Sequence, residues 1–449
     1  MKTRFSQLNY FYFISYLFVF PTFLFARSFM GIQINNLRLG EILVAVSLIF
    51  ALYQIFEKRN LIKFFDKKVY LFYLLLTASV LLSVILQQGS LFNIYVYKSS
   101  SNIWLMSNIF LCYKFFNKIK IEKSYLFALN FLLFLSYIFS VIYFPDFLKE
   151  FFINYSDKFD YLKASDILIL FVVVIFINNR FLPTYFKYTF EINLLISSIF
   201  FPLFIFKSRG AALAFIIFFA LEVLKFRNVK KFSFIKKIIL TLFVVVLFNI
   251  SAYFIVDIKA DDENIVTSTE VVFELLENKN TNIQNFLSIY LIQNIDDLDS
   301  FNFLKNGRLF STDGNINWRL QIWQDVILQS FDDFQYLFGV GYTEKIPVMN
   351  NPLYGGNDGN NEYVHNYFVN IYARGGLVQL ILFLIFYFQL IKLSNYKLKN
   401  NDILNYSIPL IVVSLFDSSM SNPHFPFLFF LCYGQILIIM NNESEEVKH

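Results

Sequence analysis

Apolar runs of membrane length recur along almost the whole chain, and that recurrence limits the possible folds more than any other feature. A bilayer core about 30 Å thick is crossed by roughly 20 mainly apolar helical residues. Inside lipid every backbone polar group needs a partner within the protein, which selects helices over open sheets. Such runs lie near 9–26, 40–56, 69–87, 102–117, 124–144, 165–183, 188–206, 209–225, 236–257, 366–392, 403–418 and 425–440. They predict an all-α polytopic membrane protein of about twelve transmembrane helices. Composition points the same way: 61 Phe in 449 residues, with 57% hydrophobic and 16% charged side chains, exceed what a soluble core can hide.

The connecting segments orient the bundle. With the N-terminus inside, the segments assigned to the cytoplasm hold 23 of the 38 Lys and Arg, among them Lys58, Arg59, Lys118, Lys230, Lys231 and Lys397. The short outside loops hold eight, including Arg27, Arg38, Lys98 and Lys158. That bias follows the positive-inside rule and puts both termini in the cytoplasm. The basic start at Lys2 and Arg4 resembles a secretory leader, but Ala26-Arg27-Ser28 is a poor cleavage site. The first run is therefore expected to remain as a span. The organisation expected is helices 1–9 over 1–257, a large extracytoplasmic loop over 258–364, helices 10–12 over 365–441 and a cytoplasmic tail over 442–449.

The loop carries 16 Asp and Glu against six Lys and Arg. A segment this long predicts structure of its own, as a lid or a folded insert. Thr267-x-x-Glu270 reads as a capping box. A second apolar piece covers 283–295. A third begins after Asn315 or Asn317 and carries Trp318, Ile322, Trp323, Val326 and Ile327 on one helical face. Cys112 and Cys432 both lie in apolar runs, so no disulfide framework is expected, and no Cys/His metal spacing occurs. Paired acids such as Asp332-Asp333 are expected to be solvated, so no metal is predicted.

A few polar residues stand out against this background. His365 lies where the large loop meets the tenth span; at a helix start its neutral imidazole could accept a proton, or it could simply cap the helix. Lys207 and Arg209 bracket Ser208 at the outer end of the eighth span, as a phosphate-binding pair or as interfacial cations. Arg319 stands four residues before Trp323, placed to lie over an indole or to pair with Asp325 or Asp332. Arg374 precedes Gly375-Gly376 in or near the tenth span, where an ionisable group is a functional candidate. His424 sits in the proline-bracketed turn Asn422-Pro423-His424-Phe425-Pro426 and is expected at the surface.

Four short motifs in order resemble the O-antigen ligase/polymerase superfamily of bacterial envelope glycosyltransferases. They are Lys207-Ser208-Arg209-Gly210-Ala211; Trp318-Arg319-x3-Trp323; Phe338-Gly339-Val340-Gly341-Tyr342; and His365-Asn366-Tyr367-Phe368 followed by Gly375-Gly376. The motif match covers about 207–377. The resemblance implies a donor glycan on undecaprenyl diphosphate, a lipid-anchored glycan acceptor, and transfer outside the bacterial cytoplasmic (inner) membrane without metal or other cofactor. It implies that Arg209 and Arg319 hold the diphosphate, with Lys207 and Arg374 as further contacts, and that His365 orients or deprotonates the acceptor hydroxyl. Many relatives have an acidic residue before the glycines, where this chain has Arg374. Membrane lipids and a chain-length regulator are the other expected partners, and no nucleic acid is.

Polymerase, joining glycan repeats, is the favoured activity. Ligase, moving glycan to lipid A-core or to a protein, is the alternative within the class. A lipid-linked glycan flippase is the alternative outside it, disfavoured because no internal repeat is visible and the polar candidates collect on one side.

Overall fold

Almost every apolar run becomes a helix. The computed structural model describes residues 15–56, 65–90, 93–111, 122–226, 234–262, 309, 314–332, 335–351, 354, 361–398 and 402–446. In chain order the helices are α1 (Phe20–Met30), α2 (Leu39–Phe56), α3 (Lys67–Leu86), α4 (Ile94–Ser99), α5 (Ser101–Leu105), α6 (Lys123–Tyr137), α7 (Asp146–Tyr155) and α8 (Ala164–Phe181). They continue with α9 (Thr189–Lys207), α10 (Arg209–Phe226), α11 (Phe234–Asp262), α12 (Gly314–Asp332), α13 (Tyr367–Leu398), α14 (Asp402–Phe416) and α15 (His424–Glu446).

Among the described residues, six helical stretches are long and apolar enough to cross a membrane: Lys67–Leu86, Lys123–Ile142, Ala164–Thr184, Thr189–Lys207, Ile238–Ile255 and Tyr367–Ser394. Four shorter apolar helices, Tyr16–Met30, Leu39–Gln54, Ile403–Phe416 and His424–Met440, occupy four more of the expected runs. The run at 102–117 behaves differently. The five-residue α5 gives way to a turn at Met106 and Ser107, and 112–121 lie outside the described residues. The capping box at Thr267 and the apolar piece at 283–295 also lie outside them, whereas the third expected loop helix is α12. Two helices were not anticipated: the six-residue α4, and α7, a short amphipathic element that buries Phe152 and exposes Phe147 and Tyr155.

The strands among the described residues are Gln33–Ile34 and Leu37–Arg38, paired antiparallel. Asn35 and Asn36 between them have φ of 50° and 64°. Two successive left-handed residues form the tight turn that matches strand twist, and Asn tolerates that conformation.

The chain divides into two compact units, one of Met1–Ala78, Tyr97–Ile258 and Leu382–His449, the other of Ser79–Val96 and Lys259–Ile381. In the first unit α8 is the hub. Every residue from Ala164 to Asn178 is buried, because α1, α6, α9, α10, α14 and α15 surround it. Phe171 packs against Phe200, Phe204, Phe215 and Phe218, so part of the large Phe content builds this interior. Close approach of α10 to α14 depends on small residues: Ala211 and Ala214 are fully buried, and a Cβ on Gly210 would stand 2.8 Å from Phe416 Cβ. In contrast, only 11% of the Ile238–Ile255 window is buried, and Leu242, Phe243, Val246 and Tyr253 point outward. Such a surface is tolerable only against lipid or another apolar partner.

A polar chain runs through the far end of this unit. Asn178 donates to Asn130 at 2.9 Å and to Asn193 at 3.1 Å, and Asn193 donates to Asn179 at 2.7 Å. Asn179 and Asn405 then donate to the two carboxylate oxygens of Glu222 at 2.6 and 2.8 Å. The chain ties α6, α8, α9, α10 and α14 together. Acceptor-only Glu222 at its end lets each amide point one way, which favours a single register of the five helices.

The second unit has its own small core. The apolar face of α12 presents Ile322 and Val326 to Ile346, Met349, Val364, Tyr372 and Ala373, with Trp318 and Trp323 at the margin.

Candidate functional site

The glycine motifs explain how the second unit holds its shape. Helix α13 breaks at Gly376, whose φ and ψ are 65° and −167°, a region essentially restricted to glycine. The break frees backbone groups on both sides, and the Tyr336–Gly341 segment satisfies them. Val340 and Gly341 N–H donate to Ala373 and Arg374 carbonyls at 2.8 Å each, and Leu377 and Val378 N–H donate to Tyr336 and Leu337 at 2.8 and 3.2 Å. Gly339, at φ 68°, has no room for a side chain, since a Cβ would lie 2.5 Å from the Arg374 carbonyl carbon. The Gly339/Gly341 and Gly375/Gly376 motifs are therefore two halves of one joint. Broken helices with re-satisfied backbone are a recurrent way to put polar groups near a membrane.

His365 is placed from three directions. Helix α13 starts two residues later, and Asn366 Oδ1 accepts the Val369 N–H at 3.1 Å as its N-cap. Trp323 Nε1–H donates to the Val364 carbonyl at 2.6 Å. Trp318 then lies beside the imidazole, ring centroids 5.1 Å apart and planes at 60°. Both tryptophans of the Trp318-Arg319-x3-Trp323 motif thus hold the histidine segment, and Arg319 follows the one that touches the ring. His365 itself has φ of 53°, an uncommon conformation outside glycine and one that clusters at functional positions.

Its tautomer follows from a neighbour that the sequence did not single out. Asn361 Nδ2 donates to the Tyr354 carbonyl at 3.0 Å, which fixes the amide so that Oδ1 faces His365 Nε2 at 3.3 Å. An acceptor there requires the proton on Nε2, so Nδ1 is the lone-pair nitrogen of the neutral ring. Tyr354 is anchored in turn by its hydroxyl donating to Asp325 on α12 at 2.5 Å. A signal for Asn361 does exist in the sequence, an amide four residues before the histidine.

Arg374 is 4% exposed. Its guanidinium donates to the Gly341 carbonyl at 3.1 Å, to the Glu344 carbonyl, and to the Tyr95 hydroxyl at 3.0 Å, and it lies over the Tyr95 ring. These contacts clamp the loop following the glycine joint. Beside it, Tyr342 donates to Gln379, which donates onward to Ser79 at 2.9 Å. Burial pushes the Tyr342 phenol well above the ordinary tyrosine range, so it remains a donor.

Lys207 and Arg209 belong to the first unit. Lys207 closes α9 and its ammonium donates to the Ser140 carbonyl and hydroxyl, the latter at 2.9 Å. Ser208 caps α10, its hydroxyl accepting the Ala211 N–H at 3.3 Å, so Arg209 stands on the first turn at the positive end of the helix.

The same end of this unit holds a polar cleft lined by Arg27, Asp160, Tyr161, Lys163, Asp166, Asp417, Ser419 and His424 among others. Here the sequence expectation fails. His424 is 3% exposed, not in a surface turn, because the Pro423 bend starts α15 directly against the first turn of α8. Its Nε2 meets Asp166 Oδ1 at 2.8 Å. Asp417 accepts from Ser165 at 2.9 Å, and Arg27 pairs with Asp160 at 3.8 Å. Nearby, burial and the charges of Arg38, Arg27 and Lys98 lower the Lys158 ammonium to about 8. The partner of His424 lies 258 residues earlier, out of reach of any local pattern.

The fold defines a multi-pass α-helical membrane protein. Residues 192–384 match the family model described as O-antigen ligase. The matched segment spans less than half of the chain, and over it the chain is similar to that family. No curated protein matches the chain.

Proposed function

We propose that the protein is a glycosyltransferase of the bacterial inner membrane that extends glycan chains carried on undecaprenyl diphosphate, as an O-antigen or capsule polymerase. The acceptor hydroxyl attacks the anomeric carbon of the donor sugar, and the bond from that carbon to the diphosphate oxygen breaks. His365 Nδ1 takes the hydroxyl proton, which a neutral ring with its other nitrogen already protonated can do. Arg209, Lys207 and Arg319 neutralise the departing diphosphate. Arg374 acts as a positioning residue for the glycine joint, because both terminal nitrogens of its guanidinium donate to protein acceptors. The observation that carries this reading is the placement of His365 between Trp318, Asn361 and the Val364 carbonyl clamp, within a chain that contains the family segment. The positive-inside charge pattern supports a large loop outside the membrane. A chain-length regulator would be the expected protein partner.

The ligase reading stays as second, favoured by the description of the matching family model. Surface-glycan profiling separates the two in a deletion strain carrying wild-type or His365→Ala protein at matched membrane levels. A polymerase restores long chains with wild type and leaves single repeats with the variant. A ligase deletion instead accumulates full-length chains on the polyprenyl carrier. Full complementation by His365→Ala removes the histidine from the chemistry.

A further inference from the structure

Three polar atoms at the cleft of the first unit lack hydrogen-bond partners among the described residues: Arg27 Nε, Ser419 Oγ and His424 Nδ1. Ser419 and His424 are 4% and 3% exposed, so bulk water does not solvate them freely. Buried polar atoms are nearly always paired, and three orphans around one cleft point to a group that completes them.

Their chemistry narrows that group. Asp166 Oδ1 faces His424 Nε2 and so keeps a proton there, leaving Nδ1 an acceptor in the neutral ring and a donor in the charged one. Arg27 Nε–H can only donate, and the Ser419 hydroxyl can do either. A group able both to donate and to accept completes all three atoms in either form of the ring. A phosphate would meet the carboxylates of Asp160, Asp166 and Asp417; a metal cation would meet Arg27 and Lys163. A hydroxyl satisfies every orphan. The enclosed floor has room for one hydroxyl-sized group, and the cleft is open on one side. Tyr161 lines it with a ring 46% exposed, suited to the apolar face of a sugar.

Building on the glycan-transfer reading above, we propose that this cleft is a glycan-binding subsite that recognises one sugar hydroxyl. The hydroxyl bonds His424 Nδ1 and accepts from Arg27 Nε–H, while Ser419 bonds the same oxygen or its neighbour. Donor and acceptor glycans share this chemistry, and the test distinguishes them.

The decisive variant is Ser419→Ala. It deletes a hydroxyl that has no hydrogen-bond partner among the described residues, so a purely structural role predicts unchanged binding and equal or greater thermal stability. The full chain in nanodiscs is titrated with the host strain's own polyprenyl-linked repeat unit and, separately, with the delipidated repeat oligosaccharide. Ser419→Ala and His424→Gln are expected to weaken binding by about five- to tenfold, with the Tm of Ser419→Ala unchanged or raised. Loss confined to the lipid-linked probe assigns the subsite to the donor; loss with both probes, or with the free oligosaccharide alone, assigns it to the acceptor. Wild-type affinity of Ser419→Ala for both probes means the cleft holds water only, and overturns the proposal. Turnover of His365→Ala is followed in parallel. Because the subsite is read by binding, retained turnover there would refute the catalytic reading without deciding the subsite.

Discussion

Replacing Gly376 with alanine probes the glycine joint on which the first half of α13, just after His365, depends. The backbone cost comes first: at φ 65° and ψ −167° an L-residue pays about 1–3 kcal/mol. The steric cost is added to it. A Cβ there would lie 2.2 Å from Leu337 C and O and 2.4 Å from Phe338 N, all backbone atoms that no rotamer change can move. Relief requires the Tyr336–Phe338 segment to retreat by about 1 Å or more, which breaks the Leu377 N–H to Tyr336 bond and the Val378 N–H to Leu337 bond. Each such bond contributes roughly 1 kcal/mol. The sum is about 3–5 kcal/mol, a large part of the 5–15 kcal/mol that typically separates folded from unfolded protein. The assay is thermal unfolding of the full chain in nanodiscs, with surface-glycan length measured at matched membrane levels. At about 2 °C per kcal/mol, the expected result is a Tm lowered by roughly 6–10 °C and short or absent glycan. A variant with wild-type Tm and wild-type glycan would show that the two motifs do not interlock as described.

Two further predictions follow from named contacts. Asn361→Asp puts a carboxylate against His365 Nε2 and favours the charged imidazole, so the acidic limb of the rate profile should move up by about one pH unit; an unshifted limb would mean that His365 does not act as the base. Lys158 tests electrostatics at the loop of the first unit. Its folded pKa near 8 lies below the ordinary 10.5, so the folded state binds fewer protons between those values. The penalty is complete below pH 8 and disappears as pH rises toward 10.5. Wild-type Tm should therefore gain on that of Lys158→Gln between pH 8 and 10, and parallel curves would contradict the burial of this ammonium.

How much of this was legible in the sequence depends on the range of the physics behind each feature. The requirement to satisfy backbone groups within lipid acts over about 20 consecutive residues, so α3, α8, α9 and α13 could be read directly from apolar runs. Helix α12 was legible because its apolar residues repeat at the helical period. The sequence at 102–117 looked the same as the others, yet Ser100, Ser101, Asn102, Ser107 and Asn108 are buried polar residues that the local count of apolar side chains ignored. Ser107 and Asn108 bond Ser47 on α2, a partner some 60 residues away.

The candidate sites divide along the same line. His365 was recognisable because its position at a helix start and its neighbouring motif are local. Why it works there was not, since Trp318, Tyr354 and Asn361 reach it by folding of the loop. His424 was misjudged for the converse reason: proline on either side is a local sign of a surface turn, and only Asp166 on a distant helix reveals the ring as buried. The two histidines end up with comparable devices, in each of which a side-chain oxygen accepts a hydrogen bond from Nε2 and fixes the ring. They differ in what that oxygen belongs to. A neutral amide faces His365, whereas a carboxylate on another helix faces His424. The first arrangement suits a group that must take up and release a proton, and the second suits one whose Nδ1 must be held in a fixed place against a hydroxyl.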